Sequence, residues 1–116
     1  MSVSPSPSRI LRNLLRNEAF YFFTSIGNYT GQHAGSLREF MQKIGEIDIK
    51  SLEFHLYRQD FEKWIAQTLG DAGLAAEIRN LRSRKVAGNL LREQLYKIVS
   101  RRYRELRGKM SFKVIT

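Results

Sequence analysis

The chain has 116 residues, enough for one domain that buries a core without covalent staples. It contains no cysteine, which excludes disulfides and thiolate chemistry and gives no sign of an oxidising compartment. Net charge is +9 and uneven: residues 1–78 carry eight Lys/Arg and nine Asp/Glu, whereas residues 79–116 carry twelve Lys/Arg against Glu93 and Glu105. Such asymmetry points to an anionic partner, and its plainer alternative is a solvated basic helix.

Residues 1–8, MSVSPSPS, offer nothing to bury and read as a disordered N-terminal segment without the apolar run of a signal peptide. The longest apolar run, residues 19–23, is far too short to cross a bilayer. A cytoplasmic protein is expected. Over Arg9 to Asn17, Ile10, Leu11, Leu14 and Leu15 repeat at helical spacing behind Ser8 as a candidate cap. The aromatic run Phe20-Tyr21-Phe22-Phe23 has an ambiguous period and reads as buried material of either secondary structure. Residues 24–35 read as a loop, punctuated by Gly27, Gly31 and Gly35. Their spacing matches no phosphate-binding loop.

Ser36 and Glu39 form a capping box ahead of the stripe Leu37, Phe40, Met41, Ile44, with Gly45 as the expected end. Asp48 is a candidate cap for a helix bearing Leu52, His55 and Leu56; Asp60 either caps a second one bearing Phe61, Trp64 and Ile65 or lies within a single helix that runs through. Gly70 stops it. Asp71 caps a helix striped by Leu74, Ile78 and Leu81, and Asn89 opens a long helix running to Gly108. The tail 109–116 is strand-like in composition and too short to stand alone. The expected fold is therefore all-α: a compact bundle of about five helices over residues 9–108. Its core is expected to include Leu52, Phe61, Trp64, Ile65, Leu74, Ile78, Leu91, Leu95 and Ile98.

The histidines, His33 and His55, do not make a metal site. A zinc site needs about three protein ligands, and no H-E-x-x-H occurs. No serine sits in a nucleophile motif. No catalytic residue, metal or cofactor is assigned. Asn28, Thr30, His55, Arg58 and Asp60 form a candidate ligand-binding or structural cluster; separately, Arg58, Asp60 and Glu62 can form a local ion-pair cluster. The basic last third offers Arg92, Lys97, Arg101, Arg102 and Arg104 as partner-binding residues, with Tyr96 and Tyr103 interleaved. Two functions follow as expectations. The first is a non-enzymatic regulatory or protein-interaction domain that binds an acidic partner or self-associates along residues 86–106. The alternative is nucleic-acid binding through Arg79 to Arg107.

The segments F-Y-F-F at 20–23, S-L-E-F-H-L-Y-R-x-D-F-x-x-W-I at 51–65 and G-D-x-x-L-A at 70–75, with the glycine/threonine loop between the first two, resemble a family of small uncharacterised helical domains of archaea and some bacteria. The resemblance spans about residues 19–107. It implies a compact helical domain, gives no activity, and sets His55, Arg58, Asp60 and Trp64 at its characteristic positions.

Overall fold

The computed structural model describes residues 6–115, with side chains to residue 110. Ser6 accepts from the Arg9 N–H and starts α1 (Pro7–Ile10). Of the segment expected to lack order, residues 1–5 lie outside the described residues. The helix expected over Arg9–Asn17 stops after a single turn. Beyond it the chain is pinned sideways: Leu14 N–H donates to Gly35 O at 2.7 Å, and Arg12 Nη2 donates to Thr68 O at 2.8 Å. Ile10, at the end of α1, is buried, and Leu11 and Leu14 pack on the core from irregular chain, whereas Leu15 is exposed.

The all-α expectation is wrong. Strands β1 (Phe20–Ser25) and β2 (Asn28–Ala34) form a two-stranded antiparallel sheet. The loop read over residues 24–35 is mostly its second strand. Ile26 and Gly27 make the connection, and Gly27 at φ +82° takes the left-handed conformation that the tight turn needs. The register pairs Phe20 with Ala34 and Tyr21 with His33, then shifts to Phe23 with Tyr29. Three residues of β2 thus face Phe22 alone, and Gly31 at φ +84° lies in this bulge. The Thr30 hydroxyl fills the gap, donating to Phe22 O at 2.8 Å.

Helix α2 (Leu37–Glu46) begins at Ser36, whose Oγ accepts from Glu39 N–H at 3.1 Å. The reciprocal half of the capping box is displaced by one residue, because Glu39 Oε1 accepts from Gly35 N–H at 2.7 Å. Gly45 stays inside the helix. Asp48 caps α3 (Ile49–Tyr57) through Lys50 N–H. Gln59 at φ +70° then breaks the chain direction, and α4 (Asp60–Trp64) follows. Asp60 was expected to cap α4; it is the first helical residue instead, and its carboxylate turns back to His55. A π-helical turn (Ile65–Leu69) extends α4 to Gly70, at φ +82°. Asp71 caps α5 (Ala72–Ser83) by accepting from Leu74 N–H.

The last helix, α6 (Gly88–Ile115), starts at Gly88 and runs past the expected end at Gly108 through most of the strand-like tail. It packs on α1, α2, α3 and α5, while the hairpin packs on α2 and α3 from the other side. All nine expected core residues are buried except Ile98, which is half-buried against the same cluster. Phe20 and Phe22 belong to that core, with Phe20 packed edge-on to Phe40 and Trp64. Burial of this kind contributes about 25 cal/mol per Å² of apolar surface, so these aromatics dominate what holds the hairpin down. No helix among the described residues is long and apolar enough to cross a membrane.

Candidate functional site

The sheet has two unlike faces, because strand residues alternate. Phe20 and Phe22 point into the core. Tyr21 points out, stacked on His33 with ring centroids 5.5 Å apart and edge-on to Tyr29 at 5.9 Å; Phe23 meets Tyr29 at 5.3 Å. Tyr29 is 47% exposed and Ile26, at the hairpin tip, 81%. The outer face of the hairpin is therefore an aromatic platform open to solvent.

Beside it lies a cleft of about 450 Å³ between β1 and the α3–α4 break, walled by Phe23, Ile26, Phe54 and Trp64, with Arg58 and Lys63 at its rim. Its floor is a hydrogen-bonded chain. Phe23 N–H donates to His55 Nε2 at 2.8 Å, and His55 Nδ1 meets Asp60 Oδ2 at 2.8 Å. Since Nε2 accepts from an amide, the ring proton is on Nδ1 and is donated to Asp60. Arg58 Nε donates to the same Asp60 oxygen at 3.2 Å, and its guanidinium lies 5.0 Å from the centre of the Phe54 ring. Desolvation by burial pushes the His55 pKa below 6.5. Asp60 opposes that shift by its hydrogen bond and charge, and the Arg58 charge adds to it. With both nitrogens engaged, His55 is a brace from α3 to β1 rather than a free base.

The predicted cluster is thus partly assembled. His55, Arg58 and Asp60 form one contact network. Thr30 reaches it indirectly: it holds the carbonyl of the Phe22–Phe23 peptide while His55 holds the N–H of that same peptide. Asn28 bonds locally to Ser25 at the turn. Glu62 leaves the expected ion cluster altogether. It is buried on α4 and accepts from Arg79 Nε at 3.1 Å and Arg82 Nε at 2.7 Å, tying α4 to α5. The platform of Tyr21, Tyr29 and His33 was missed; the only signal for it was in β1, where Tyr21 and Phe23 alternate with Phe20 and Phe22.

On the basic helix the four predicted arginines and the lysine divide. Arg92 donates to Gly45 O and Ile47 O, satisfying carbonyls at the end of α2. Arg102 donates to the buried Asp71 at 2.7 Å, and Arg101 pairs with Glu77 across α5 at 3.3 Å. Lys97 and Arg104 are exposed and make no ion pair among the described residues. Much of the positive charge that looked free in the sequence is spent on packing helices. The helices α2 and α3 stand between what remains of it and the aromatic platform.

A family of unknown function, DUF5752, matches residues 16–114, and the chain belongs to it. No curated protein and no solved structure matches the chain.

Proposed function

We propose that this chain is a non-enzymatic regulatory domain that binds a protein partner through the outer face of its β-hairpin. The observation that carries the reading is the concentration of exposed rings and Ile26 on one nine-residue segment, Tyr21 to Tyr29, set on a sheet that the core holds rigid. Contiguous exposed apolar surface is costly to keep in water and marks interaction sites. Tyrosines supply large contact area at low conformational-entropy cost. The bracing of His55 supports a binding role over acid–base chemistry, because its accepting nitrogen is already used. The cysteine-free composition suits a reducing compartment such as the cytoplasm.

The test is recovery of partners from native lysate by the full chain, with and without nuclease, alongside the variants Tyr29→Ser/Ile26→Ser and Arg104→Glu. The reading expects a stoichiometric protein that survives nuclease, is lost with the hairpin variant and is kept with Arg104→Glu. Recovery that depends on nucleic acid and fails with Arg104→Glu supports the basic-helix alternative and contradicts the hairpin reading.

A further inference from the structure

The cleft beside the platform joins an apolar wall to two cationic side chains, Arg58 and Lys63. We infer that it takes an acidic residue, Asp or Glu, next to an aromatic or branched aliphatic residue in an extended segment of the protein partner; this rests on the protein-binding reading above. Arg58 carries the argument. Its Nε is committed to Asp60, and its plane is held over Phe54. Asp60 is fixed in turn by His55, and His55 by the Phe23 amide. The remaining Nη1 and Nη2 form a fork that makes no hydrogen bond among the described residues, on a side chain that is half exposed. A guanidinium held this way loses little entropy on receiving a carboxylate, and a two-pronged Arg–carboxylate contact is stronger and more directional than one to lysine.

The charge balance agrees. Asp60 is the one carboxylate lining the cleft among the described residues, and its Oδ2 is paired with Arg58 and accepts from the His55 N–H. Lys63 adds an exposed second cation at the rim, so the cleft favours an anion. Phe23, Phe54, Ile26 and Trp64 supply the apolar wall beside it, and the space of about 450 Å³ suits a few side chains rather than a bare ion. The relay from Phe23 to Arg58 also explains why a buried histidine and a half-buried aspartate are set five residues apart across a helix break: they position the fork.

The experiment uses the full ¹⁵N-labelled chain and two synthetic peptides, acetyl-Gly-Leu-Glu-Phe-Glu-Gly-amide and its counterpart with Gln at both Glu positions. The Glu peptide should shift the amides of Phe23, Phe54 and Lys63 and the indole N–H of Trp64 in a saturable way. The Gln peptide should bind about tenfold more weakly or worse. Arg58→Lys, which keeps the charge and loses the fork, should cost a similar factor while leaving the spectrum of the free chain otherwise in place. Equal affinity for the two peptides, shifts confined to other surfaces, no saturable shift with either peptide, or an unaffected Arg58→Lys variant each overturn the inference. Its failure is separable from that of the parent reading. A lysate partner that tolerates Arg58→Lys and needs Tyr29 and Ile26 refutes the receptor alone. Arg58-dependent binding of the Glu peptide by a chain whose partner ignores Tyr29→Ser/Ile26→Ser refutes the hairpin face alone.

Discussion

His55→Leu keeps most of the bulk of the ring and removes both of its hydrogen bonds. The Phe23 N–H, which faces a buried acceptor at 2.8 Å, then has none. Leaving a buried amide unsatisfied costs about 1–3 kcal/mol, and this part-buried one falls in the lower half of that range. Asp60 is partly exposed and recovers water in exchange for its lost donor, so its share is small. The expected loss for His55→Leu is about 2 kcal/mol. His55→Ala adds a cavity among Phe20, Phe22 and Phe61 and should cost about 3–4 kcal/mol. Urea unfolding followed by the fluorescence of Trp64, the single tryptophan, measures both. The pH dependence is the sharper reading. The folded pKa of His55 is depressed, so below its unfolded value near 6.5 the unfolded chain takes up more protons than the folded one. The stability that neutral His55 contributes is complete above pH 6.5 and is lost as pH falls from there through the lower folded pKa. Wild type should therefore weaken across that window more than His55→Leu does. A His55→Leu protein as stable as wild type at pH 8, or one with the same acid slope below pH 6.5, would refute the brace.

Three other substitutions separate structural charge from free charge. Glu62→Ala strands two arginines that join α4 to α5 and should cost about 2 kcal/mol in the same unfolding assay, the outer arginine being well hydrated. Arg92→Ala removes the donor to two carbonyls at the end of α2 and should cost about 1–2 kcal/mol, whereas Arg104→Ala should change stability by less than about 0.5 kcal/mol. Equal effects from these two would contradict the division of the basic helix. Gly70→Ala places a side chain at φ +82° and within 3.4 Å of the Arg9 guanidinium, and should lower stability by about 1–2 kcal/mol in a thermal melt.

The helices were legible because their signals are local. Ser36, Asp48 and Asp71 each cap within three residues, and the stripe of α5 repeats within one element. The sheet was not legible for reasons visible in β2. Only Ala34 of that strand is buried, the bulge at Gly31 breaks its alternation, and the turn is Ile26-Gly27 rather than an asparagine–glycine pair. Nothing in NYTGQHA then separates a strand from a loop. The candidate site followed the same divide. His55, Arg58 and Asp60 lie within six residues and could be grouped from sequence, although the left-handed Gln59 that brings them together could not. Glu62 finds its arginines 17 and 20 residues away, and Asp71 finds Arg102 31 away. Those long-range pairs take Arg79, Arg82 and Arg102 out of the apparently free basic surface.

A photo-crosslinking amino acid placed in turn at positions 29 and 96 separates the hairpin face from the basic helix, because Tyr29 lies on the former and Tyr96 is a comparably exposed ring on α6. A hairpin face that docks a protein partner gives a discrete, nuclease-resistant protein adduct from position 29 in cells and none from position 96. Adducts from position 96 with none from position 29 would contradict that docking.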